Sequence, residues 1–163
     1  MITTATRHLT ASMVVFDAET IDHAPRVLLV HHNATGKWVF PGGHVDENES
    51  PHEAAIREVL EETKVQAAIE PDPALPGLNQ HPAPFMVAEF PAPAKPERPG
   101  KPAEVAHSHI DMLYVGTARC AALEAALDEV SDVRWVHAAD LNELDVRAEV
   151  PGVARAAWYW VTR

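Results

Sequence analysis

Residues 40–65 read Phe-Pro-Gly-Gly-His-Val-Asp-Glu-Asn-Glu-Ser-Pro-His-Glu-Ala-Ala-Ile-Arg-Glu-Val-Leu-Glu-Glu-Thr-Lys-Val, and the rest of the chain is organised around them. A glycine turn runs into a short acidic loop and then into a segment with a helix-start signature. Ser50 and Glu53 have the spacing of a capping box, and Pro51 stands at the first helical position, where a missing N–H costs nothing. The helix therefore starts at Ser50 or Pro51 and runs to Thr63. At about 100° per residue, Ile56, Val59 and Leu60 share one face with Ala55 at its edge, which predicts burial of that face. Glu58 and Glu62, four apart, stack on the opposite face, with Glu61 beside them.

Three carboxylates on one arc repel one another by a few tenths of a kcal/mol per close pair, and within the segment only Arg57 offsets them. A bound cation removes the repulsion. Oxygen-only ligands select hard ions, so the expected metal is Mg²⁺, with Mn²⁺ as the alternative, and waters or phosphate oxygens complete the shell. A solvated acidic helix face is the plain alternative for such a cluster; the glycine turn at fixed distance upstream favours the metal site.

These residues resemble the Nudix box: a glycine, five residues, Glu, seven residues, Arg-Glu, an aliphatic, any residue, Glu-Glu, any residue, then Gly and an aliphatic. The sequence supplies Gly43, Glu49, Arg57, Glu58, Val59, Glu61 and Glu62, with Lys64 in place of the glycine and Val65 after it. Trp38-Val-Phe-Pro-Gly-Gly in front also looks like the family. The resemblance implies an α/β fold, an α/β/α sandwich around a mixed β-sheet. It implies an enzyme that cleaves a nucleoside diphosphate linked to another moiety by water attack on phosphorus, with Mg²⁺ bridging the diphosphate. Glu58 and Glu62 match the family's direct metal ligands, and the backbone carbonyl of Gly42 matches the third. Glu61 matches a ligand or a base acting through water, and Arg57 orients Glu49 or Glu61 by a charge-assisted hydrogen bond. Glu129, six residues before Trp135, is the candidate for a general base carried on a late loop, against the alternative of a solvated loop carboxylate.

Working outward, 163 residues with 47% hydrophobic content suffice for one substantial core, so residues 1–163 are read as a single Nudix-type domain. The net charge of −11 opposes nucleic acid or an anionic membrane as partner, because either needs a basic patch. A small nucleotide-type substrate carried in with Mg²⁺ escapes that objection, and a homodimer stays open. Cys120 is the single cysteine, so no internal disulfide forms, and the N-terminal residues lack the apolar stretch of a secretory signal. A cytoplasmic location is expected.

Strands are expected at 7–17, 26–31, 38–40, 65–69, 85–90, 107–117 and 132–136, with a short helix-prone segment at 121–127 and a closing helix at 153–161. Pro71, Pro73, Pro76, Pro82 and Pro84 interrupt regular structure, and the proline-rich residues 91–105 form an extended loop that either covers the substrate or lies in solvent. On the 107–117 strand, His107, His109 and Asp111 share one face. They contact phosphate or base, or else form a half-exposed polar face. His109 and Trp38 are the candidate substrate contacts, although Trp38, Phe40 and Trp135 also suit a core. His44 and His52 lie beside the box, but Mg²⁺ disfavours imidazole.

The resemblance does not select one substrate. Pro82 lies near a position where ADP-ribose pyrophosphatases of the family carry proline, tyrosine occurs only at 114 and 159, and Gly36–Gly43 looks like the branch acting on nucleoside triphosphates. A Nudix-fold binding module without catalysis is the alternative reading, but it is expected to have lost box carboxylates that this chain retains. An isopentenyl diphosphate isomerase is disfavoured because Cys120 is far from the box.

Overall fold

The computed structural model describes residues 6–69, 75–97, 102–119 and 122–162. Pro71, Pro73, Cys120, Ala121 and part of the 91–105 segment lie outside them. Eight strands form one mixed sheet. β1 (Arg7–Asp17) and β7 (His107–Ala118) lie side by side and parallel, in unbroken register from Arg7 opposite Ser108 to Asp17 opposite Ala118. Alternation along β1 serves both faces: Ala11, Met13 and Val15 enter one apolar layer, Val14 and Phe16 the other. In β2 (Arg26–His32) the run Val27–Val30 is buried throughout, as expected for a strand covered on both faces.

The outer edge of β1 is divided between two partners. β2 pairs with it near Phe16, and β4 (Gly42–His44) pairs antiparallel with Thr10–Ser12 at the other end. β2 also carries β3 (Lys37–Val39) and β8 (Val130–His137), while β5 (Ala68–Ile69) and β6 (Met86–Ala92) pair antiparallel with β7. Helix α1 (Pro51–Thr63) packs Ala54, Ala55 and Val59 on one face of the sheet, and α2 (Val150–Val161) packs Val150, Val153, Ala154 and Ala157 on the other. That is the expected α/β/α arrangement around a mixed sheet. No helix among the described residues is long and apolar enough to cross a membrane.

Several expectations need correction. Leu60 is exposed, and the sheet-facing side of α1 carries Glu58, Glu62 and Thr63 together with its alanines and Val59. The glutamates are thus not on a solvent face. The strand expected at 65–69 shrinks to Ala68–Ile69 because left-handed Lys64 turns the chain and sends Val65 into the core. Residues 122–126 form no helix and lead into a turn at 127–129. β4 and a short 3-10 helix (Ala138–Glu143) were not expected, and α2 starts three residues early, with Pro151 in its first turn. β6 extends through Pro91 and Ala92, and Lys95 and Glu104 pair across the proline-rich segment. The polar face of β7 is not half-exposed, since His107 and Asp111 are both buried.

Candidate functional site

The acidic loop and α1 are fastened by one another's backbone and side chains. The Ser50 N–H donates to Glu53 Oε2 at 2.8 Å, completing one half of the capping box, and the Asp46 N–H donates to Glu49 Oε1 at 2.8 Å. Arg57 then binds the whole loop to the helix. Its Nε and Nη2 form a two-pronged contact with Glu49 at 3.1 and 2.6 Å, Nη1 donates to Glu58 at 2.8 Å and to Glu61 at 3.1 Å, and Nη2 reaches the His44 carbonyl at 3.0 Å. The hydrogen bond to Arg57 is the main reason the Glu49 carboxyl is held below its ordinary value, and the same bond leads the causes that make Arg57 more basic still.

Two glycines let β4 lie close to its neighbours, Gly43 against α1 and Gly42 against β1. A Cβ on Gly43 would collide with the Glu58 carboxylate, and one on Gly42 would lie 2.6 Å from the Ala11 carbonyl oxygen. The contact made instead is a hydrogen bond from the Gly42 N–H to Glu62 Oε2 at 3.1 Å. With no side chain between strand and helix, Glu58 and Glu62 lie buried against the sheet, and Glu129, at the turn leading into β8, completes the group. One carboxylate oxygen from each of Glu58, Glu62 and Glu129 lies within 4.8 Å of the others. Burial, the largest cause, raises Glu58 and pushes Glu62 up to about 8; Arg57 opposes the first shift and the Gly42 N–H the second, while neighbouring carboxylates add to both.

The donor chemistry fits a hard divalent cation. Two buried carboxylates with a third beside them are unfavourable in one another's company, and an ion taking oxygen ligands relieves both the desolvation and the repulsion. The remaining expected site residues are distributed less uniformly. Glu61 is outside the three-carboxylate group, with 59% of its side chain exposed, and it pairs with Arg57 at 3.1 Å. Trp38 belongs to the layer under α2, 7% exposed, with the Arg134 guanidinium 4.9 Å over its ring, the core placement that its sequence context also suits. His109 is half-buried and faces His107, with their Nε2 atoms 3.0 Å apart, and it belongs to a different side-chain group from the three carboxylates.

Two features escaped the sequence reading. Asp111 accepts from the Thr10 hydroxyl at 2.8 Å and the Ser12 hydroxyl at 3.1 Å, and its burial raises its pKa against those bonds. His8, on β1, joins His44, His107 and His109. Both groupings follow from the parallel β1–β7 pairing, which leaves no mark in either strand's own sequence.

The chain matches the family model described as NUDIX domain over residues 6–156. It is 45% identical over 49 residues to a Bacillus subtilis protein provisionally named 8-oxo-dGTP diphosphatase, a match covering 30% of this chain and 33% of that protein. A second match, 44% identical over 39 residues, is to an RNA pyrophosphohydrolase of Azorhizobium caulinodans and covers 24% of this chain and 23% of that protein. The aligned segments thus span a third or less of these curated relatives. Among solved structures, a Clostridium perfringens hydrolase of the NUDIX family superposes with a TM-score of 0.73 over 96% of this chain and 99% of its own, at 24% identity, a likeness of fold.

Proposed function

Because this chain belongs to the NUDIX family, we propose that it is a divalent-metal-dependent pyrophosphohydrolase acting on a nucleoside diphosphate linked to another moiety. The observation that carries this reading is the meeting of buried Glu58 and Glu62 on α1 with exposed Glu129 from the turn before β8, beside an acidic loop that Arg57 ties to the same helix. In this reading Glu58 and Glu62, with the Gly42 carbonyl, hold Mg²⁺ or Mn²⁺. The ion, when bound, neutralises charge on the diphosphate oxygens and lowers the pKa of the attacking water. Glu129 accepts the proton of that water at its carboxylate, Glu61 is the alternative acceptor, and Arg57 and Glu49 keep α1 in register with the glycine turn. The two apolar layers share one sheet, which supports reading residues 1–163 as one domain.

The names borne by relatives suggest the substrates to try: an oxidised deoxynucleoside triphosphate, a 5′-triphosphorylated RNA, diadenosine tetraphosphate and ADP-ribose. Incubating the protein with each in Mg²⁺ and separating the products by anion exchange tests the proposal. Cleavage of a phosphoanhydride bond in at least one, abolished by chelation, is the expected result. Binding of a nucleotide without turnover of any of them, under Mg²⁺ or Mn²⁺, would favour a binding module instead.

A further inference from the structure

At the other end of β4 from Glu62's partner, three strands bring four imidazoles together. His8 lies on β1, His44 closes β4, and His107 and His109 lie on β7. Register explains the meeting: His8 stands opposite His109 across the parallel pair, while Thr10, two residues along β1, stands opposite His44. Each ring offers one nitrogen, and all four nitrogens lie within 4.8 Å of one another. His8 Nδ1 is 3.3 Å from His44 Nε2, and His107 Nε2 is 3.0 Å from His109 Nε2. Tetrahedral zinc with Zn–N bonds of about 2.0–2.1 Å requires nitrogens roughly 3.3 Å apart. Two edges of the group therefore already approach that geometry, and the others close to it by small rotations of surface rings.

A second observation concerns the tautomer. The Nδ1 of His107 lies 2.8 Å from the Val105 carbonyl oxygen, which can only accept, so Nδ1 carries the proton and Nε2 presents its lone pair to the group. A ring nitrogen held by a backbone carbonyl is the usual outer support of a metal-bound histidine. Burial, followed by the neighbouring rings, pushes His109 down to about 4 and lowers His44. Neutral imidazoles suit a metal ion and give an anion little charge to bind. His8 and His44 are exposed, which leaves a path for entry.

We propose that His8, His44, His107 and His109 form a zinc site, separate from the carboxylate site in both position and ligand chemistry, that clamps β1, β4 and β7 together. Four protein ligands fill a tetrahedral shell, so the role is structural. The clamp acts next to the other site, because the backbone carbonyl of His44 is also a partner of Arg57. The proposal does not depend on the hydrolase reading.

The test uses Glu58→Gln/Glu62→Gln protein, in which the carboxylate ligands are removed, loaded with Zn²⁺, desalted and analysed for metal, with Co²⁺ substitution as a spectroscopic probe. About one zinc per chain should remain, and Co²⁺ should give the intense visible bands of tetrahedral coordination. Adding His8→Gln and His44→Gln, both at exposed positions and checked for folding by circular dichroism, should remove the zinc and the bands. Zinc retained undiminished in that variant, no zinc retained with the four histidines intact, or octahedral Co²⁺ bands would each overturn the proposal. Zn²⁺ should also raise the melting temperature of the Glu58→Gln/Glu62→Gln protein, and adding His8→Gln and His44→Gln to that protein should abolish the rise; an unchanged rise would contradict the clamp.

Discussion

Glu62 is where burial, charge and hydrogen bonding meet most sharply. In the metal-free protein its carboxyl keeps a proton up to about pH 8, whereas the unfolded chain releases it near the ordinary 4.5. Between those values the folded state holds the extra proton, so stability must fall as pH rises, beginning near the unfolded pKa and ending above the folded one. The melting temperature of metal-free protein is therefore expected to decline from about pH 5 to about pH 8.5, with a shallower decline in Glu62→Gln. Equal slopes for the two proteins would show that Glu62 is not the group responsible. Lys64 is a second residue-scale case. It caps α1 with φ of 60°, and its N–H donates to the Leu60 carbonyl at 3.0 Å. A non-glycine residue in that conformation costs about 1 kcal/mol, so Lys64→Gly should raise stability by up to about 1 kcal/mol, less the dipole benefit of its charge, in a urea melt. Destabilisation would mean that the contact of its ammonium with the Glu61 carbonyl at 3.3 Å outweighs the strain.

At the scale of elements, the glycine turn, loop and α1 behave as one unit because Arg57 bonds to four of its groups. Lysine keeps the charge but not the planar fork, so Arg57→Lys should lose the paired contact with Glu49 and destabilise the fold by about 1–3 kcal/mol. Unchanged denaturant midpoints would show the network to be energetically idle. This unit was also the most legible part of the chain. Ser50, Pro51 and Glu53 fixed the start of α1 by local chemistry that needs no tertiary partner. The facing of its glutamates was misjudged because a residue count sees Glu58 as charged, and the bare Gly43 makes room for its carboxylate against the sheet. The apparent strand at 65–69 and helix at 121–127 failed for a related reason: short apolar runs take their form from what they pack on.

The whole molecule joins distant segments through one long parallel pair. β1 and β7 are about a hundred residues apart, and their register alone places His8 beside His109 and Thr10 beside Asp111. Each strand announced itself by alternation, but neither sequence contains the pairing, so the histidine group and the buried Asp111 contacts were hidden while the carboxylate site was visible. The net charge of −11 sets a further expectation: a divalent ion is drawn in by the whole surface as well as by its ligands. The most direct test of the central claim is turnover of the best substrate against Mg²⁺ concentration, for wild type and Glu62→Gln side by side. The buried carboxylate group predicts a fall in kcat on the order of 10²-fold or more for the variant at saturating Mg²⁺, with circular dichroism unchanged. Near wild-type kcat in a folded Glu62→Gln protein would contradict it and place the metal and the chemistry somewhere other than the face of α1.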